Sequence, residues 1–213
     1  MQTPSGEKTL TQHLSLQLPR LGSLLVMGES GSGKSSLLRT IAGLWHPGAG
    51  AIDRPAHNRL IFLPQKPYMV PGNLRAQLMY PHNEEDAKDD LITAVLEDVN
   101  LHDIFARVGS DLGKVIDWTN VLSLGEQQRV AFARLFLKKP AIAFLDEATS
   151  ALDEENERFL YEKLRASGIA FVSIGHRSTL KEFHDRLLLL KIDGTSEIEP
   201  LAKPGAAPPV GSS

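Results

Sequence analysis

One stretch, GESGSGKSS from Gly28 to Ser36, restricts the fold of this chain more than any other feature. The spacing G-x-x-x-x-G-K-[ST] is met by Gly28, Gly33, Lys34 and Ser35. Such a loop wraps phosphates only when a strand delivers it and a helix leaves it. Leu21 to Met27 is an apolar run, and Leu37, Leu38 and Ile41 recur on one side of a helix. Glycines let successive N–H groups turn inward as an anion nest, and the helix starting near Lys34 adds its positive end. Lys34 is placed to reach β- and γ-phosphates, and Ser35 to set its hydroxyl on Mg²⁺. The pattern arises by chance in roughly 1% of chains this long; the alternative is a flexible Gly-Ser turn. The motif points to a nucleotide and leaves switch, kinase and pump open.

The rest of the chain alternates β and α at both ends. Leu60–Leu63, Ala141–Leu145, Ile169–Ile174 and Leu187–Ile192 read as strands. Glu126–Leu137 repeats the helical period, and Asp153 is a candidate N-cap for a helix over Glu154–Arg165. Between Pro71 and about Gly125 the patterns are helical: Leu74–Met79, Leu91–Val99 and Ile104–Val108. The acidic stretch Glu84 to Asp90 reads as a solvated helix start. From about residue 201 Pro, Gly, Ala and Ser dominate, which predicts a disordered tail over 201–213. The expectation is an α/β fold: a parallel sheet covered by helices on both faces, with a helical insert. Ligands in such sheets sit at the carboxyl ends of strands. Gly28, Gln65, Asp146 and His176 all closely follow strand ends, which predicts that they share one crevice.

The totals narrow the function classes. A net charge of −3 over 213 residues leaves no broad basic field for nucleic acid. Cysteine is absent, which excludes disulfides and thiolate metal sites. No apolar run reaches the length of a membrane span, and Met1–Lys8 lacks the apolar stretch of a signal peptide. These features predict a soluble, cytosol-type chain.

Ala141 to Glu147 is an apolar strand that ends in two carboxylates. Charge at a buried strand tip is costly unless something compensates it. Mg²⁺ beside the phosphate loop would do so, held by Asp146. Glu147, pointing elsewhere on a strand-like backbone, is placed to deprotonate an attacking water. The alternative is a pair of acids at a helix N-terminus.

Three further stretches decide the class: LSLGEQQR (Leu122–Arg129), LDEATSALD (Leu145–Asp153) and SIGHR (Ser173–Arg177). With the phosphate loop and Gln65, in this order, they resemble the ATP-binding cassette (ABC) ATPase family over nearly the whole chain. The resemblance implies a P-loop NTPase core of RecA type, about residues 1–70 and 126–200, with a mixed sheet and a helical subdomain over about 71–125. It implies Walker A residues Gly28, Glu29, Ser30, Gly31, Ser32, Gly33, Lys34, Ser35 and Ser36. Gln65 resembles the Q-loop glutamine that meets Mg²⁺ and water. Ser123, Gly125 and Glu126 fall in the family signature. Ser35, Gln65 and Asp146 are the implied Mg²⁺ ligands, Glu147 the base, and His176 the residue that touches the γ-phosphate.

Two departures are visible. The family signature usually has Gly where Leu124 stands and Gln where Glu126 stands. No aromatic precedes Trp45 to stack on adenine, and the first strand region is short. FLPQKPYMVPGNLRAQLMYP (Phe62–Pro81) and LDEENERFLYEKL (Leu152–Leu164) resemble subfamily D, the fatty acyl-CoA half-transporters, and bacterial relatives. The missing aromatic and short start fit either a domain cut from a longer protein, which the half-transporter likeness favours, or an adenine held by apolar contacts. By that likeness the chain would lie at the cytoplasmic face of a membrane, driving transport of fatty acyl or other amphipathic cargo by hydrolysing ATP. Its implied partners are a transmembrane domain and a second copy, head to tail in an ATP-dependent dimer. The rivals are a soluble ATPase acting on nucleic acid or ribosomes, and a non-catalytic nucleotide-gated module.

Overall fold

The computed structural model describes residues 14–45, 49–81, 88–107, 111 and 113–202. The tail from residue 203 and residues 84–87 of the mostly acidic stretch lie outside the described residues. The chain divides into two compact units, residues 1–52 with 172–213, and residues 53–171.

In the first unit, β1 (Ser23–Gly28) leads through the phosphate loop into α1 (Lys34–Ala42). Ser23 to Val26 are buried without alternation, as in a strand covered on both faces. β1 pairs in parallel with β5 (Arg186–Leu190), Leu24 opposite Arg186 and Gly28 opposite Leu190. At Gly28 a Cβ would lie 2.1 Å from the Leu190 carbonyl oxygen and φ is 148°, so only glycine ends this strand here. β5 stops at Leu190, two residues before the expected end, because the chain turns back into the antiparallel β6 (Ser196–Pro200). Hydropathy did not reveal β6, whose residues are at most half-buried. Its signal is the Asp193-Gly194 turn: Thr195 donates from N and from Oγ1 to Asp193 Oδ1, at 2.9 and 2.6 Å.

In the second unit, β2 (Leu60–Leu63) pairs in parallel with β3 (Ile142–Asp146), Leu60 opposite Ile142 and Leu63 opposite Leu145. Between them come α2 (Leu74–Met79), α3 (Asp89–Asp98), α4 (His102–Arg107), α5 (Trp118–Val121) and α6 (Leu124–Lys138). The expected helices over 74–79 and 91–99 correspond to α2 and α3, and the one over 104–108 to α4 as far as Arg107, with Val108 outside the described residues. α5 has four residues, too few to show a period. It is anchored by Trp118, which is buried and donates Nε1–H to the Gly72 carbonyl at 2.8 Å. α6 is buried on nearly all sides, from Gln127 to Leu135. After β3, α7 (Glu154–Ala166) begins at Asp153, whose Oδ1 accepts from Asn156 N at 2.8 Å. Its acids crowd the first turn and its bases the last, matching the helix dipole. The unit's core centres on Phe132, Tyr161 and Phe171, with ring centroids 6.5 and 6.1 Å apart. Each such contact adds about 1 kcal/mol beyond burial.

β4 (Ala170–Ile174), along which the two units divide, is buried throughout. The pairing is mixed: β1 with β5 and β2 with β3 run parallel, while β5 with β6 runs antiparallel. Among the described residues no helix is long and apolar enough to cross a membrane.

Candidate nucleotide site

The phosphate loop and His176 belong to the first unit; Gln65, Ser123–Gln128, Asp146 and Glu147 belong to the second. The loop closes on itself through Lys34. The ammonium is buried and donates to the carbonyls of Gly28 and Glu29, both at 2.8 Å. Glu29, Ser30 and Gly31 are exposed, Gly33, Ser35 and Ser36 half-buried, and Gly31 and Gly33 have φ of 79° and 95°. Ser32 is different. Its hydroxyl is buried and has no hydrogen-bond partner among the described residues. A buried hydroxyl without a partner is a group that the oxygen of a bound phosphate, as acceptor, would satisfy. His176 is exposed, two residues beyond the end of β4.

In the second unit, Asp146 is the buried last residue of β3. Glu147 leaves the strand with φ of 52°, not on the strand-like backbone expected from sequence. The left-handed conformation costs a non-glycine residue about 1 kcal/mol. It turns Glu147 toward Gln65, two residues past β2: Gln65 Nε2 donates to Glu147 Oε2 at 2.8 Å. The glutamine expected at the metal thus meets the expected base. Ser35, Asp146 and the Gln65 amide are hard oxygen donors of the type Mg²⁺ takes.

Residues 11–150 match the ABC transporter family. The chain belongs to that family. Among its relatives, an uncharacterised ABC transporter ATP-binding protein of Synechocystis is 50% identical over 93% of this chain and 30% of its own length. ABC transporter D family member 2, chloroplastic, of Arabidopsis thaliana is 42% identical over 88% of this chain and 33% of its own. A solved bacterial Atm1-family ABC exporter with ATP bound superposes with a TM-score of 0.79 at 25% identity, over 91% of this chain and 36% of that one. The chain thus spans about a third of the length of these relatives. It is an ABC ATP-binding domain with the P-loop NTPase fold, and its likeness to subfamily D stands.

The ABC signature of this chain takes an unexpected local form. Ser123 is the N-cap of α6, and Glu126 completes a capping box. Ser123 N and Oγ both donate to Glu126 Oε2 at 2.9 Å, and Oγ accepts from Glu126 N at 3.3 Å. Arg107 forms an ion pair with Glu126 Oε1. Burial pushes the Glu126 carboxyl up, but hydrogen bonds from Arg107 and Ser123, with the charge of Arg107, hold it below its ordinary value. The departure from Gln at this position therefore gives the serine a charged cap that a cation neutralises.

Sequence reasoning missed two participants. Arg107 carried no local signal. Gln128 carried one: Ala131, Phe132 and Leu135 share its helix face, and all three are buried. A glutamine on such a face needs polar partners inside the protein.

Proposed function

We propose that this chain binds Mg·ATP and hydrolyses it as the motor domain of a membrane transporter. The reading rests on the bond from Gln65 to Glu147, one residue past a buried Asp146. That arrangement presents an oriented carboxylate at the end of a strand, where P-loop folds do their chemistry. The transporter names of the relatives favour it over a soluble ATPase acting on nucleic acid or ribosomes, and over a non-catalytic module.

The ATPase domain covers about residues 1–200. Loop N–H groups from Gly28 to Ser36 and the Lys34 ammonium bind the β- and γ-phosphates. Ser35, Gln65 and Asp146 would hold Mg²⁺, which offsets the charge of the phosphate oxygens. Glu147 accepts a proton from water as the water oxygen bonds to the γ-phosphorus. The bond to the bridging oxygen breaks, leaving ADP and inorganic phosphate. Gln65 orients the base and His176 touches the γ-phosphate. Most of the rate comes from positioning and charge neutralisation.

Two copies act head to tail, with Ser123 and Gly125 of one meeting the γ-phosphate held by Lys34 of the other. ATP then joins the pair and hydrolysis releases it, a closure of known type. Residues 71–125 transmit this motion to a transmembrane domain at its cytoplasmic face. Phosphate release and light scattering test the scheme. Glu147→Gln should keep ATP binding, lose about a hundredfold or more in turnover, and accumulate dimers with ATP. Unimpaired release by that variant removes Glu147 as the base.

A further inference from the structure

Gln128 has no exposed surface and stands one turn inside α6. Its amide makes three hydrogen bonds, none to its own helix. Nε2 donates to the Gln65 carbonyl at 2.8 Å and to Ser150 Oγ at 3.3 Å. Oε1 accepts from Ala151 N at 3.0 Å. Both amide protons and the oxygen are thus used in one buried place, which fixes the side chain in one orientation.

The partners flank one pair from both sides. Gln65 is itself the donor to Glu147. Ser150 closes the turn that follows Glu147, its N–H donating to the Glu147 carbonyl at 3.1 Å. The first turn of α6 is pressed against this segment, since a Cβ on Gly125 would lie 3.0 Å from the Ala151 carbonyl oxygen. One side chain therefore tethers the Gln65 backbone, the turn after Glu147 and the signature helix.

We infer that Gln128 is a positioning residue that holds the Gln65–Glu147 pair in register with the signature helix. The inference rests on the ATPase reading above. Carried by one buried amide, a shift of α6 moves Gln65 and the Glu147 turn together, so the serine-bearing turn and the base respond as one piece. Nothing in the amide's bonding reaches the phosphate loop, so nucleotide affinity is not part of its role.

Gln128→Met keeps length and apolar volume while removing all three bonds. The Ala151 amide should then exchange its hydrogen about tenfold faster, while the β3 amides keep their protection. ATP turnover should fall about tenfold with KM for ATP within about twofold. If Gln128→Met does not fold, Gln128→Asn, which withdraws the amide by one methylene, carries the same test. Unchanged Ala151 exchange would show that the tether is not made. Faster exchange with undiminished kcat would show that the tether does not position the pair; equal acceleration at Ala151 and β3 would reduce Gln128 to a stability role. A wild-type chain that never turns over ATP overturns the ATPase reading instead, and the exchange comparison still decides whether Gln128 holds the turn.

Discussion

Gln65 and Glu147, 82 residues apart in sequence, meet in a 2.8 Å hydrogen bond from amide to carboxylate. Neither side chain is buried, so the bond is not maintained by burial. Backbone geometry maintains it: Gln65 follows β2, Glu147 follows β3, and these strands pair in parallel with Leu63 opposite Leu145. Equal offsets from paired residues bring the two side chains together.

Removing this donor tests its worth. Gln65→Ala should lower ATP turnover ten- to a hundredfold, on the order of 1–3 kcal/mol in the barrier. ATP affinity should change much less, because the phosphate loop is untouched. Steady-state phosphate release with a binding titration separates the two effects; an equal loss in affinity and turnover would contradict the assignment.

Lys34 has a different signature. Its ammonium holds the Gly28 and Glu29 carbonyls, and it is the cation that the triphosphate would recruit. Lys34→Ala should weaken ATP binding more than tenfold by isothermal titration. Undiminished affinity would remove the loop as the phosphate site.

Glu126 should leave a mark on acid stability. Its folded-state pKa lies below the ordinary 4.5, so the unfolded chain binds its proton more readily. Its stabilising contribution is present above that value and is lost as pH falls through the lower, folded-state pKa. Urea midpoints between about pH 5 and pH 3 should fall less steeply for Glu126→Gln than for the wild type. The amide keeps the capping geometry but does not titrate.

Arg134 concerns the helical region. Burial pushes its guanidinium down to about 10, so it remains charged at neutral pH. Nε donates to the Gln77 carbonyl at 2.6 Å and Nη1 to the Tyr68 carbonyl at 2.8 Å, with the Tyr80 ring 5.5 Å away. Arg134→Ala strands both carbonyls and should cost about 3 kcal/mol in urea unfolding. Arg134→Lys keeps the charge but not the fork, and should recover part of that loss.

The phosphate loop, the apolar strands and the Asp153 cap were legible in the residues because each is a local rule. Spacing, hydropathy and cap chemistry act within a few residues of chain. The family likeness added Gln65, Ser123 and His176 as candidates for the same reason, since motifs are short. What required the folded chain was every relationship across long separations. β6 became a strand only by pairing with β5, and its own hydropathy is that of a loop. Glu147 left the strand backbone at positive φ, which no propensity favours, and so met Gln65. Glu126 gained Arg107, and Gln128 gained three partners from two other segments. A side chain's composition states what it must bond to, but tertiary packing alone decides which distant backbone arrives to satisfy it.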